Sequence, residues 1–311
     1  MINGNRPQHW KADTQASVDL YNDWFIQSAP QAFRESRANA TVFVEQAFKA
    51  TDYLRDITPA NLRVNPAILP VLRMSTCPPL AVDRLIGLSG VAKGLVAGIE
   101  KRGVIGRSAS DEQLAQLVAV IDKLLDRPLF PWLEAATPPG RLDAYRAATI
   151  VADRYCGALA NPIIRNAQES RQLSYIEAWL LNRGYTKLTK GVTLQAMPAG
   201  SFAFRMNVPV SQGQTLVNIP VDAVIKPQTA NPTDLPLLIE AKSAGDFTNT
   251  NKRRKEEVQK FTMLKHTYGP HLRFVLFLCG YFDAPYLGYS AAEGIDWVWE
   301  HRIDDFLQLG L

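Results

Sequence analysis

Two short apolar runs, each carrying an acid, constrain this chain more than any other feature. The first is Ile219-Pro220-Val221-Asp222-Ala223-Val224-Ile225 and the second is Leu237-Leu238-Ile239-Glu240-Ala241-Lys242. A segment rich in Pro, Asn and Thr separates them. Apolar runs bounded by such residues read as two strands and their connection. Strand side chains alternate, so Glu240 and Lys242 point to one face. With Asp222 from the neighbouring strand they make a usable site for Mg²⁺. This hard cation takes one or two protein carboxylates and fills its shell with water and substrate phosphate oxygens. In such a site Asp222 and Glu240 are the ligands, with the backbone carbonyl of Ala241 as a further one. Lys242 orients an attacking water or stabilises the transition state, which is the equipment for phosphodiester hydrolysis. A Glu-x-Lys tripeptide alone also fits a strand end with a surface ion pair. The apolar run before it, the upstream acid and the basic segment after it favour the nuclease reading.

Charge is unevenly spread. The whole chain carries a net charge of +4, yet residues 242–273 hold eight basic residues against three acids. A basic segment beside a carboxylate site suits a polyanion. Its densest part, Asn249, Asn251, Lys252, Arg253, Arg254 and Lys255, opens a helix expected over residues 252–268, with Asn251 as N-cap. Basic residues at a helix N-terminus oppose the macrodipole, so an external anion explains them better than local stabilisation does. Phosphate sits well at a helix N-terminus, and arginine bridges guanine or phosphate. These six residues are therefore the expected contact with double-stranded DNA. The competing reading is a solvated first turn paired with Glu256 and Glu257.

At 311 residues, 47% apolar and 21% charged, the chain can bury a large core in one large domain or two moderate ones. No apolar run reaches the length of a membrane span, and the first residues lack a signal-peptide pattern. Cys77, Cys156 and Cys279 are few and far apart, as for free thiols in a reducing cytoplasm. Four scattered histidines argue against a zinc site.

Residues 1–160 read as an all-helical region and residues 161–311 as the catalytic domain. Helical spacing marks residues 16–25 and 33–53, and prolines 59, 66 and 70 break the chain into short turns. Residues 80–86 and 90–102, joined by a Gly87-Leu88-Ser89 turn, outline a helix-turn-helix that would offer Ser89 and Lys93 to DNA. Gly90, Gly94 and Gly98 recur every four residues, which also fits close helix packing. Ser110-Asp111-Glu112 caps an amphipathic helix. Residues 142–159 form another helix, and Asn161-Pro162 starts the next, which carries Glu169 and Glu177 and ends at Gly184. Strands follow over residues 185–188, 201–210, 216–225, 235–242 and 273–279, with the basic helix before the last. Trp297 and Trp299 in the tail read as packing residues.

Asp222 followed by Glu240-Ala241-Lys242 resembles the PD-(D/E)XK nuclease superfamily, with the proline two residues before the aspartate. The run from Glu240 through Lys252-Arg253-Arg254-Lys255-Glu256-Glu257 is similar to type II restriction endonucleases of the XamI family. This resemblance implies an α/β (α+β) fold: an N-terminal helical region that serves DNA recognition and dimerisation, then a mixed β-sheet flanked by helices. It implies Mg²⁺-dependent, sequence-specific cleavage of duplex DNA by a homodimer, and a cognate DNA methyltransferase in the host. It also implies an extra carboxylate near the metal from the helix before the sheet, here Glu177, which lies among Tyr175, Ile176, Trp179, Leu180 and Leu181. The rival functions are a repair or structure-selective nuclease of the same fold, and a DNA-binding protein with an inactive nuclease fold.

Overall fold

The computed structural model describes residues 1–311 except 136, 190, 214 and 249 and the side chains of 250–253. The chain is α+β, with seven helices preceding a mixed sheet among the described residues. The helices are α1 Trp10–Ala50, α2 Pro59–Val64, α3 Leu69–Met74, α4 Val82–Ser89, α5 Lys93–Arg102, α6 Asp111–Leu124 and α7 Arg141–Leu181. After them come β1 Thr186–Lys187, β2 Ser201–Gln212, β3 Thr215–Lys226, β4 Leu237–Ala244, α8 Thr250–Tyr268, β5 Arg273–Gly280, α9 Ala284–Ala292 and β6 Asp296–Trp299. No helix of the described residues is long and apolar enough to cross a membrane.

The chain packs as two compact units, one of Pro30–Ile163 and one of Met1–Ala29 with Ile164–Leu311. The sequence pattern places a boundary near residue 160; the structure adds that the first 29 residues belong with the sheet. Two helices expected to break do not. The segment expected as separate helices around Pro30 is one helix, α1, and Pro162 lies inside α7 rather than starting a helix. A proline costs an internal helix bond. Buried residues on both sides of Pro162, from Ala147 to Ala160 and from Leu173 to Leu180, supply packing that outweighs this cost.

In the helical unit, Val44, Phe48, Leu69, Leu85, Val96, Leu117, Ile121 and Phe130 share one core. Ser110 caps α6 with the expected reciprocal box to Gln113. The glycine spacing in α4 and α5 has a different origin from close packing. Gly90 ends α4 in the left-handed conformation at φ 69°, and a Cβ on Gly94 would touch nothing within 4 Å.

In the other unit the six strands lie in the order β1-β2-β3-β4-β5-β6. The β2–β3–β4 part is antiparallel, while β1–β2, β4–β5 and β5–β6 are parallel. Connections α8 and α9 carry the chain between the parallel strands β4, β5 and β6, as such pairings require. Both sheet faces are covered. Leu237, Ile239, Phe277 and Val298 pack with Leu173, Ile176 and Leu180 of α7. Leu238, Leu276 and Trp297 pack with Phe261 and Leu264 of α8 and with Leu287 of α9. Trp297 and Trp299 are fully buried, in keeping with a packing role. At the far edge, the Asp296 carboxylate accepts from the backbone N–H groups of Ile2, Asn3 and Gly4. The chain's first residues are thereby fixed to its last strand.

β4 and β5 end together at Ala244 and Gly280. Gly280 has φ 99°, and a Cβ there would lie 2.1 Å from the Ala244 carbonyl oxygen. Neither the dihedral nor the approach admits a side chain. Gly280→Ala should therefore destabilise the protein by ~3 kcal/mol or more, read as a lower denaturant midpoint with unchanged m-value. A midpoint within error of wild type would show that the strand ends separate freely.

Candidate active site

The site forms where β3 and β4 part. Their ladder pairs Ile225 with Leu237, Val224 with Leu238 and Ala223 with Ile239, and goes no further. Asp222 and Glu240 are the next residues on each strand. With the backbone pairing ended, the Asp222 carboxylate accepts from the Ala241 N–H, Oδ2 to N 2.9 Å. The side chain thus takes over the role of a ladder carbonyl and fixes its own position over β4. β4 itself is kept in register by eight parallel pairs with β5, from Leu237 with Arg273 to Ala244 with Gly280. From α7, Gln172 Nε2 reaches the carbonyls of Phe277 at 3.3 Å and Lys242 at 3.4 Å.

Alternation puts Leu238, Glu240 and Lys242 on the α8 face. Glu240 is buried, and its Oε1 accepts from Lys242 Nζ at 3.0 Å. Its Oε2 accepts from Lys260 Nζ of α8, which also donates to the Pro220 carbonyl. α8 contributes a second group, Glu257, which lies in the buried stripe with Phe261 and Leu264 and accepts from the Tyr286 hydroxyl. Neither Lys260 nor Glu257 is singled out by the strand motif. The signal that marks Glu257 is helical spacing, since it precedes Phe261 by four residues and Leu264 by seven.

These charges act on one another. Burial, and then the charge of Glu240, push the Asp222 carboxyl up to about 6, against the opposing pull of Lys242, the Ala241 N–H and Lys260. Burial works against the Lys242 ammonium, but Glu240, then Glu257 and Asp222, outweigh it and hold Lys242 above its usual range. Lys242 is therefore a cation at neutral pH, suited to stabilising negative charge rather than to accepting a proton. Two carboxylates that repel each other across a strand fork are relieved by a cation between them. Their oxygen donors are those a hard divalent ion prefers.

The other expected site residues lie elsewhere or outside what is described. Glu177 is not brought to the Asp222–Glu240 pair. It forms an ion pair with Lys187 at 2.8 Å, and among the described residues no three His, Cys, Asp or Glu side chains gather as a metal set. Its apolar neighbours in sequence are misleading. Ile176, Trp179 and Leu180 face the core, but Tyr175 and Leu181 are exposed, so Glu177 sits on the flank of α7. Ser89 is also corrected. It is buried, and its hydroxyl donates to the Leu85 carbonyl at 2.7 Å, as serine commonly does in the last turn of a helix. Lys93 is exposed in the first turn of α5. The basic helix begins at Thr250, which puts Asn251 inside its first turn. Asn249 and the side chains of Asn251, Lys252 and Arg253 lie outside the described residues. Arg254 stacks its guanidinium over the Tyr289 ring at 4.1 Å, and Lys255 is exposed.

The family model described as XamI restriction endonuclease matches residues 52–299. The chain is 53% identical over 315 residues to the type II restriction enzyme SalI of Streptomyces albus G, an alignment covering 100% of both chains. No solved structure matches the chain.

Proposed function

The chain belongs to the XamI restriction endonuclease family, and from that premise we propose how its residues cut DNA. It is a type II site-specific endonuclease, which sets aside the readings as a repair nuclease or an inactive binder. The catalytic group is Asp222, Glu240 and Lys242, arranged in the PD-(D/E)XK manner. The observation that supports this assignment is the Asp222–Ala241 hydrogen bond at the strand fork, next to the Glu240–Lys242 ion pair.

Asp222 and Glu240 would hold Mg²⁺, with the Ala241 carbonyl as a third protein oxygen. When bound, the ion neutralises charge on the scissile phosphate and lowers the pKa of a coordinated water. Lys242, protonated and fixed by Glu240, orients the attacking water and stabilises the developing negative charge. Glu240 thus has two roles, as ligand and as the anchor that aims Lys242.

The residues that bind phosphates and base edges of DNA are Asn249, Asn251, Lys252, Arg253, Arg254 and Lys255. Arg254 is preorganised by Tyr289, which reduces the entropy lost on contact. Residues 1–160, Lys93 among them, contribute recognition and dimerisation. A two-fold homodimer matches a palindromic site. A cognate methyltransferase protects the host's own copies of that site, in the cytoplasm where both meet DNA.

Incubation of the purified protein with unmodified phage DNA and Mg²⁺ should give discrete fragments on a gel, and none when EDTA replaces the metal. A smear of all lengths would contradict site-specific cutting, and equal cutting in EDTA would contradict the metal site.

A further inference from the structure

Both oxygens of Glu240 are occupied by ammonium groups. Lys242 Nζ takes Oε1 at 3.0 Å, and Lys260 Nζ takes Oε2. The Lys260 and Glu240 side chains are 14% and 8% exposed, so this second pair is well shielded from water. The two ammoniums come from different elements, Lys242 from the strand that carries the acids and Lys260 from α8. Lys242 feels the charges of Glu257 and Asp222 as well as of its partner Glu240, whereas Lys260 donates to Glu240 and the Pro220 carbonyl and acts on Asp222 through charge.

A divalent ion on Glu240 must come within about 2.0–2.1 Å of a carboxylate oxygen, the bond length Mg²⁺ demands. An ammonium hydrogen-bonded to that oxygen would be left beside a double positive charge in a site of low dielectric, where like charges repel strongly. The two cations exclude each other at Oε2. Lys260 reaches the site on a flexible four-carbon stem from a helix flank, so its ammonium can withdraw while the backbone stays in place.

We propose that Lys260 is a built-in competitor for the metal: its ammonium occupies Glu240 Oε2 in the metal-free protein and must leave when the ion binds. This rests on Asp222 and Glu240 being the metal pair. Lys260 lets two neighbouring carboxylates share a half-buried fork in the absence of metal, and it weakens metal binding by the stability of the pair it forms. The same residue therefore acts in opposite directions on the metal-free fold and on the loaded site.

The test is Mn²⁺ binding to the metal-free protein without DNA, measured from the free-ion signal in electron paramagnetic resonance. Lys260→Met keeps the length and removes the charge, and it should tighten Mn²⁺ at least tenfold, about 1.4 kcal/mol. Lys260→Arg, which keeps the charge, should stay within about twofold of wild type. Glu240→Gln should lose the ion. Equal Mn²⁺ affinity in wild type and Lys260→Met, with loss in Glu240→Gln, would overturn the competitor role while leaving the metal pair intact. Unaltered binding in Glu240→Gln, or no binding in any variant, would instead overturn the metal pair itself. Wild-type protein gives a second reading that needs no variant. Acetic anhydride should modify Lys260 faster once Mn²⁺ is added, seen by peptide mass spectrometry, and an unchanged or slower rate contradicts displacement.

Discussion

Lys242→Ala should lower the single-turnover rate of DNA cleavage by about 10²–10³-fold while leaving DNA affinity nearly unchanged. The ammonium is anchored on Glu240 Oε1, and its charge is reinforced by Glu257 and Asp222. In the proposed mechanism it meets the negative charge that develops during hydrolysis, and its side chain is 27% exposed. Removing it takes away an interaction realised mainly in the transition state, so the loss belongs in the rate and not in binding. Lys242→Arg should rescue little, because a planar guanidinium cannot repeat the geometry of a point ammonium on one carboxylate oxygen. The decisive comparison is the cleavage rate in Mg²⁺ against the dissociation constant for a cognate duplex in Ca²⁺. Parallel losses in both would make Lys242 a DNA-binding residue and remove it from the chemistry.

Asp222→Asn should abolish cleavage and at the same time stabilise the metal-free protein at neutral pH. The Asp222 carboxyl titrates at about 6 in the fold against 3.8 in the unfolded chain, chiefly through burial and then through Glu240. Between these values the folded state holds a proton that the unfolded state has released. Stability therefore falls as pH rises from about 4 to 6, and the penalty is complete above that window. Its size is of the order of 3 kcal/mol. The asparagine cannot ionise, and its carbonyl oxygen can still accept from the Ala241 N–H. Its unfolding temperature should exceed wild type by roughly 4 °C at pH 7.5, with the gap closing toward pH 4. The measurement is a pair of melting curves in EDTA across that range. A gap that does not vary with pH would mean that the Asp222 charge carries no cost in the fold. This is the pattern of a functional site kept at the expense of stability.

Much of this was legible in the strand pattern. Period-two alternation placed Glu240 and Lys242 on one face, and the apolar runs located β3, β4 and β5 to within a few residues. The sequence also carried the capping box of α6 and the burial of the tail tryptophans. What it could not carry is the company that α8 brings. Lys260 follows Glu240 by twenty residues, and its role depends on how the crossover helix lies on the sheet, a tertiary matter. Glu177 and Ser89 misled for a related reason. Apolar neighbours and a turn position indicate an element, but only packing decides which flank of the helix a side chain occupies. Pro162 misled in the opposite way, since local helix-breaking chemistry yielded to the burial of residues on either side.

The catch of residues 2–4 by Asp296 also bears on when the enzyme becomes an enzyme. Residues 1–29 are synthesised before residues 164–311, yet they pack with them, and their anchoring strand β6 follows the other five strands in the chain. The intervening helical unit has a core of its own and can form while the ribosome is still at work. The sheet unit must wait for β6, because closing it requires joining parts of the chain nearly three hundred residues apart. A nascent chain thus carries the strand fork before it has the completed sheet that supports it. For a protein that cuts DNA, this order of assembly delays a competent nuclease until β6 has been made.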